Sequence, residues 1–131
     1  MLQAYSNNIS GTANTAIVFS TNKINTNKNI THNTNSADIL INTPGFYKVT
    51  IDASYSAASA GLVSLQLFAN NVAIEDAISS ITVVASSLVN GVISTIIKAN
   101  PGIPNQSITL NVKPTADITI SNINISINRL P

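Results

Sequence analysis

The sequence predicts an all-β fold, a sandwich or barrel built from short strands. Apolar and polar residues alternate with a period of two over most of the chain, and turn-forming residues recur at short intervals. The composition is rich in Ile, with Val and Thr, and these β-branched residues favour strands over helices. At 131 residues, of which 44% are hydrophobic, the chain can form a single domain with its own core.

Charged side chains are scarce, which argues against several classes of function. Only 8% of the residues are Asp, Glu, Lys or Arg, and the formal net charge is +1, so no strong field attracts nucleic acid or an anionic membrane. The chain has no cysteine and therefore no disulfide or thiolate metal site. The sequence contains no signal-peptide-like or membrane-spanning segment. We therefore expect a protein that is made and kept without classical secretion, for which assembly into a virus particle followed by lysis is one route to an exposed position.

The first part of the chain is polar. Residues 1–14 show no clear periodicity and are predicted to form a flexible or partner-ordered N-terminal arm, followed by one domain over residues 15–131. The first strand of this domain is predicted at residues 16–20. Residues 21–36 are rich in Asn and Thr and are predicted to be mostly loop, with a short edge strand near Ile30 as the alternative.

The middle of the chain alternates clearly. A strand at residues 37–41 ends before the turn signal Pro44-Gly45, and the long strand after the turn has one apolar face. That face comprises Tyr47, Val49, Ile51, Ala53 and Tyr55. Further strands are predicted at residues 63–69, 72–78, 81–85, 92–99 and 108–112, with turns at Asn70-Asn71 and Asn90-Gly91 and a loop at 101–105.

The last strand contains isoleucines in two phases. Ile118 and Ile120 share one phase, whereas Ile123, Ile125 and Ile127 share the other. An unbroken strand would place the two sets on opposite faces of the sheet. Either a β-bulge at residues 121–122 restores a common face, or both faces of this strand are buried, one of them against a partner.

The order of these features resembles the globular domain of the C1q and tumour-necrosis-factor superfamily. The resemblance runs from about Ala16 to the C-terminus, and three segments carry it. These are residues 17–19 (IVF) as the first strand, residues 44–51 (PGFYKVTI) as a proline-glycine-aromatic-tyrosine signature, and residues 65–71 (LQLFANN) as the following strand and asparagine turn.

This resemblance implies an antiparallel jelly-roll β-sandwich of about ten strands that forms a homotrimer through an apolar face. The chain lacks the collagen stalk and the aromatic-rich ending of animal members. Its stalkless form is similar to structural proteins of phages of low-GC Gram-positive bacteria. The resemblance implies a capsid decoration or head-fibre protein on the virion, with the major capsid protein as partner. The alternative is a receptor- or glycan-binding tip domain of a tail fibre or of a bacterial or spore surface protein.

Apolar side chains beyond the needs of one core indicate where the trimer forms. Phe68 is out of phase with Leu65 and Leu67, so one of these sets faces away from the core. A second apolar face is typical of a subunit interface, where aromatic residues are enriched. The predicted trimer interface comprises Phe46, Phe68, Ile118, Ile120, Ile123 and Ile125. The predicted capsid-binding residues of the arm are Leu2, Tyr5 and Ile9.

Catalysis is not expected. His32 is the only histidine, and a Ser-His-Asp triad that used it, with Asp38, would need a positioned nucleophile and oxyanion donors that no motif indicates. We expect an exposed loop histidine instead. The only adjacent acid pair, Glu75-Asp76, would diverge on a strand, which disfavours a calcium site. We therefore predict no catalytic residue, no cofactor and no bound metal, and not an enzyme.

Overall fold

The computed structural model describes residues 1–26, 28–100 and 107–131. The alternating segments form strands, and ten strands occur in the described residues. They are β1 (Leu2–Gly11), β2 (Thr21–Asn25), β3 (Ile30–His32), β4 (Ile39–Ile41), β5 (Gly45–Ser56), β6 (Gly61–Ala69), β7 (Val72–Val83), β8 (Val89–Ala99), β9 (Ile108–Pro114) and β10 (Ile118–Arg129).

The strands form two antiparallel sheets that pack face to face. Sheet one has the order β2-β1-β10-β5-β8, and sheet two has the order β3-β4-β9-β6-β7. From β4 onward the chain changes sheet at every connection except the β6–β7 hairpin, which gives the jelly-roll topology. The predicted all-β jelly-roll sandwich of about ten strands is confirmed.

The core lies between the sheets and follows the predicted alternation. The inward face of β5 has the predicted residues Tyr47, Val49, Ile51, Ala53 and Tyr55, all completely buried. β5 lies in the middle of sheet one and pairs with β10 on one side and β8 on the other. Its apolar face is therefore covered entirely by sheet two, which makes β5 the centre of the core.

The last strand contains the β-bulge that its isoleucine phases predict. The pairing of β10 with β5 shifts register between Ile120 and Asn122, which leaves Ser121 as the extra residue. The isoleucines on both sides of the bulge consequently face the core. The prediction that Ile118, Ile120, Ile123 and Ile125 form a trimer interface is wrong, because the protomer's own core covers them to 4% exposure or less.

The N-terminal residues form a strand and not an arm. β1 pairs with β10 from Leu2, opposite Ile127, to Gly11, and pairs with β2 on its other side. The predicted arm at residues 1–14, separate from a domain at 15–131, is therefore wrong. The alternation is hidden in the sequence because β1 changes phase at Asn8, whose φ is 53°. Its inward-facing residues are Leu2, Ala4 and Ser6 before Asn8, and Ile9 and Gly11 after it.

The predicted first strand at residues 16–20 is instead a segment that crosses between the sheets. Ile17 N–H donates to the Val112 carbonyl of sheet two, at 2.8 Å, and Phe19 makes an isolated bridge with Ser36. Ile17 and Phe19 are nonetheless buried in the core. The segment is apolar, as the sequence indicates, but it makes single hydrogen bonds and an isolated bridge and does not form the predicted strand.

The Asn-rich residues 21–36 contain two strands. The short edge strand near Ile30 is confirmed as β3, and the remainder includes β2, which was predicted to be loop. β2 is the outermost strand of sheet one, and none of its residues is fully buried. An edge strand of this kind needs no apolar face, so periodicity cannot detect it.

Turn residues were predicted with mixed success. Asn70 and Asn71 form the predicted hairpin turn, with φ of 49° and 63°. Asn90-Gly91 is not a turn, because it lies within β8 opposite Ser54 and Ala53. The strands predicted at 72–78 and 81–85 are one strand, β7. The loop predicted at 101–105 lies outside the described residues.

Candidate interaction surfaces

Exposed apolar side chains gather on the outer face of sheet one, along β8. Val92 and Ile96 of β8 are 52% and 58% exposed, and Phe46 of the neighbouring β5 is 53% exposed. Phe46 is paired with Lys98, and Lys48 with Ile96. Phe46 and Ile96 are therefore diagonal neighbours across the two strands, within reach of an aromatic ring. The predicted interface residue Phe46 is thus on the surface, beside apolar residues that sequence reasoning missed.

A shallow apolar depression continues this surface around the edge of the sandwich. Its volume is about 290 Å³, and it is lined by Ala69, Ile74, Ile96, Ile97, Lys98 and Ile108. β7 and β8 are the outermost strands on this side, so within the described residues neither has a second partner strand. We call Phe46, Ile74, Val92 and Ile96 the edge patch. Long free strand edges beside exposed apolar residues are typical of a site of association.

Sequence signals for the edge patch were present. Residues 92–97 (VISTII) have apolar residues in both phases of one strand, so one set must face outward. Phe68, the other predicted aromatic of the interface, lies on the outer face of sheet two, with Lys113 Nζ 4.6 Å from its ring centroid. Phe46 and Phe68 are thus on opposite sides of the sandwich, and one flat interface cannot contain both.

A polar depression lies elsewhere on the outer face of sheet one. It has a volume of about 270 Å³ and is lined by Gln3, Ala4, Tyr5, Lys23, Thr50, Asp52, Asn124, Ile125 and Ser126. A neighbouring depression shares Tyr5, Lys23 and Asn124 with it. One aromatic ring therefore lies among amides, hydroxyls, one ammonium and one carboxylate.

An amide ladder borders this polar depression. Asn124 Nδ2 donates to Asn122 Oδ1 at 2.6 Å, and Asn122 Nδ2 donates to Asn7 Oδ1 at 2.6 Å. The ladder orients three side chains across β1 and β10 on the outer face. Such a row of fixed amides offers both donors and acceptors to a polar ligand.

The three residues assigned to a capsid-binding arm are separated by the fold. Leu2 is completely buried in the core, and Ile9 is half-buried and packs against the core. Tyr5 alone faces outward, into the polar depression. The assignment of Leu2 and Ile9 to partner binding is therefore wrong, because β1 uses them to cover sheet two.

His32 is not the exposed loop residue that was expected. It lies in β3, is 5% exposed, and packs edge-to-face against Phe19 with ring centroids 6.2 Å apart. Its Nδ1 lies 2.5 Å from Asn22 Oδ1, and its Nε2 lies 2.8 Å from the Ser36 carbonyl oxygen. Both ring nitrogens therefore already have partners within the fold.

Two buried tyrosines have perturbed acidity. Burial raises the pKa of the Tyr55 hydroxyl. Burial also raises the pKa of Tyr47, and the nearby Arg129 guanidinium opposes this effect in part. In both cases the fold disfavours the charged phenolate because it removes the group from water.

The described part of the chain contains no group of three or more His, Cys, Asp or Glu side chains that could hold a metal ion. It also includes no helix long and apolar enough to cross a membrane. The surfaces that stand out are accordingly the apolar edge patch and the polar depression beside Tyr5.

Solved structures share this architecture. The globular domain of zebrafish complement 1qA protein superposes with a TM-score of 0.78 at 10% identity, over 99% of this chain and 96% of that one. Eiger TNF from S. frugiperda superposes with a TM-score of 0.73 at 11% identity, over 99% and 92%. The fold is a C1q/TNF-like jelly roll. The PRD1 vertex protein P5 has a TM-score of 0.65 at 17% identity, over 99% of this chain and 96% of that one.

The likeness is one of fold and not of sequence. No protein-family model and no curated protein sequence matches the chain. The C1q/TNF-like resemblance of the sequence is confirmed by these neighbours, which include a complement 1q globular domain, a TNF and a vertex protein. Because one jelly-roll fold occurs with different functions, the chain's surfaces must carry the functional argument.

Proposed function

We propose that the chain is a trimeric, non-catalytic structural protein of a virus particle. In this proposal it is a capsid decoration or head-fibre protein that is made in the host cytoplasm and binds the major capsid protein at the capsid surface. The edge patch is the observation that carries the proposal, because it is an exposed apolar surface on a domain whose core is already complete. The likeness in fold to the vertex protein P5 supports a place on a virion.

A second copy of the chain is the occupant that best fits the edge patch. Lys48 and Lys98 lie beside the apolar residues, and Glu75 and Asp76 lie on the adjacent β7, so the surroundings include charges of both signs. The formal net charge of +1 causes little repulsion between copies. Contact between the edge patch of one copy and a different surface of the next is heterologous, and such a contact gives either a closed ring or an open filament. The C1q/TNF-like resemblance implies a ring of three.

The distribution of reactive groups supports packing over catalysis. The one histidine has both ring nitrogens occupied inside the fold, and the chain has no cysteine. A general base must reach the proton that it removes, and His32, which lines a small depression with Asp38, is only 5% exposed and has both ring nitrogens engaged within the fold. The chain's exposed chemistry is that of an interaction surface.

Sedimentation of matched variants tests the trimer. Wild-type protein at low micromolar concentration is expected to sediment as a trimer. Ile96→Asp places a charge in the edge patch and is expected to give a folded monomer, whereas Val84→Asp is expected to remain trimeric. Val84 is 68% exposed and lies in the β7–β8 loop outside the edge patch. A wild-type monomer, or equal behaviour of the two variants, would overturn the role of the edge patch.

The virion assignment needs a separate test. Particles purified from a host strain that contains the gene are analysed by mass spectrometry and by immunogold labelling. We expect the chain in stoichiometric amounts on the heads, and rebinding of purified trimers to undecorated capsids at micromolar concentration. A trimer that is absent from particles and does not bind capsids would refute the capsid role while leaving the assembly intact.

The polar depression favours a second candidate function, the binding of a carbohydrate. Saccharide sites combine an aromatic ring with fixed amide and carboxylate groups, and Tyr5 lies here among Asn124, Gln3 and Asp52. Glycan-array binding that is lost in Tyr5→Ala and retained in Ile96→Asp would establish this function. No binding on the array would remove it.

A further inference from the structure

Asn90 and Gly91 form an Asn-Gly dipeptide, and the sequence contains no other. They are the second and third residues of β8, where Asn90 pairs with Ser54 and Gly91 pairs with Ala53 of β5. In an Asn-Gly sequence the backbone nitrogen of the glycine can attack the asparagine side-chain amide, because glycine has no Cβ to hinder the approach. Asn90 is therefore the asparagine that the sequence makes most reactive.

Packing favours glycine at position 91. Gly91 is buried, and a Cβ at this position would lie 3.0 Å from Ser79 Oγ on β7 and 3.4 Å from the Tyr55 ring on β5. A larger residue would press on a completely buried ring and on the facing sheet. A bulkier residue after Asn90 would slow the attack, but the core disfavours it.

The paired strand restrains this attack, but only near its end. Asn90 Oδ1 accepts a hydrogen bond from Ser54 Oγ at 3.1 Å, and ring closure requires the Asn90 backbone to leave the extended conformation of the strand. However, β8 is the outermost strand of sheet one, and Asn90 lies one residue from its start, after the exposed loop residues 84–88. Such strand ends open locally at a fraction of the free energy of global unfolding.

We propose that Asn90 is a site of spontaneous deamidation, which local opening at the start of β8 makes reactive. The Gly91 nitrogen bonds to Cγ of Asn90, the Cγ–Nδ2 bond breaks, and ammonia leaves with the proton of the Gly91 amide. Water then opens the cyclic imide at one of its two carbonyl carbons. Opening at Cγ gives aspartate, whereas opening at the backbone carbonyl carbon gives isoaspartate, in which the main chain runs through Cβ and Cγ.

Both products change the outer face of β8. Asn90, Val92 and Ile96 lie in the same outward row of this strand, so either product places a carboxylate about 7 Å along the strand from Val92 of the edge patch. Isoaspartate also adds one methylene to the main chain, so the residues after it cannot keep both their pairing with β5 and their alternation. The effect on association rests on the proposed function, whereas the deamidation does not.

Peptide mapping by mass spectrometry tests the deamidation. Wild-type protein is aged at one fixed pH, both native and unfolded in guanidinium chloride, and the conversion of Asn90 is followed with time. Local opening should make the native conversion about 10- to 100-fold slower than the unfolded one. Opening by global unfolding alone would make it more than about 1,000-fold slower. A slowing of that size, or no conversion in the unfolded chain, would overturn the proposal.

A matched pair of variants tests the restraint by β5. Ser54→Ala removes the hydroxyl that donates to Asn90, and it is expected to speed the native conversion about fivefold without changing the rate in guanidinium chloride. Ser56→Ala, on the same strand opposite Thr119, is the control and should change neither rate. Equal native rates in the two variants would contradict the restraint.

Sedimentation tests the effect on association. Asn90→Asp reproduces the new carboxylate without altering the main chain, and it is expected to need a higher concentration to assemble than the neutral Asn90→Gln. Equal assembly of the two variants would refute the effect on the edge patch. A monomeric wild type would remove that effect together with the proposed function, whereas the peptide mapping would still decide whether Asn90 deamidates.

Discussion

Tyr47 and Tyr55 lie on the same buried face of β5, but their hydroxyl groups are in different situations. The Tyr47 hydroxyl donates to the Thr43 carbonyl at 2.7 Å. The Tyr55 hydroxyl is buried and has no hydrogen-bond partner among the described residues. Both side chains are completely buried, so their apolar contributions are similar. The two residues are therefore a matched pair for measuring what a buried hydroxyl contributes.

Substitution of each tyrosine by phenylalanine should have opposite effects. Tyr47→Phe removes a satisfied hydrogen bond and is expected to lower the free energy of unfolding by about 1 kcal/mol. Tyr55→Phe removes a hydroxyl that was desolvated without compensation and is expected to raise it by about 1 kcal/mol. Urea denaturation measures both changes. Equal destabilisation of the two variants would mean that the Tyr55 hydroxyl has a partner in solution.

Stability should fall in alkaline solution because of the same two residues. Burial raises the pKa of Tyr47 and of Tyr55 above the ordinary value of 10.0. The unfolded chain therefore releases these protons first, and the unfolded state gains stability as the pH rises beyond about 10. The loss should be absent below that pH. Urea midpoints from about pH 8 to about pH 11 should decline for wild type and less steeply for the double variant Tyr47→Phe/Tyr55→Phe.

Deletion of Ser121 should abolish the native fold. Without the extra residue, Ile123, Ile125 and Ile127 would move to the solvent face of sheet one. Each buried isoleucine is worth roughly 2 kcal/mol, so the loss approaches the whole stability of a small domain. Deletion of Ser59, in the exposed β5–β6 loop, is the control and should retain the fold. Circular dichroism and sedimentation would detect a folded Ser121 deletion, which would contradict the bulge.

Removal of residues 1–11 should unfold the domain. An arm could be removed without effect, but β1 lies between β2 and β10 and places Leu2 and Ala4 in the core. Its loss exposes core residues of sheet two and leaves β2 without a neighbour. We expect the truncated chain to be insoluble or unfolded by circular dichroism. A cooperative unfolding transition near that of wild type would restore the arm hypothesis.

The sequence predicted best where one periodic pattern coincides with one buried strand. β5 is correct to its individual inward residues, and the bulge of β10 follows from the change in isoleucine phase. β1 was missed because it contains a comparable phase change at Asn8 without enough apolar residues to reveal it. β2 was missed because an edge strand need not have an apolar face.

The interaction surfaces were predictable only in part. The predicted trimer-interface residue Phe46 lies outside the core, as expected. The four isoleucines of the last strand that were predicted for the same interface are buried in the core. Periodicity shows that two apolar sets exist, but not which strand lies opposite each set. Val92 and Ile96 lie on the outer face of β8, the last strand of sheet one, where both are exposed.

The sequence by itself determined the fold class, the inward face of β5, the asparagine turn and the scarcity of catalytic groups. These properties are local, since a period of two and a turn conformation depend on neighbouring residues alone. Only the tertiary structure decided that residues 2–11 are an interior strand of sheet one, that the last-strand isoleucines are core and that His32 is buried with both ring nitrogens beside oxygen atoms of the fold. Each of these depends on which distant strand supplies the neighbour. Leu2 pairs with Ile127, and the Asn22 side chain contacts His32. In each case the two residues lie on different strands, so a pattern of neighbouring residues cannot predict the contact.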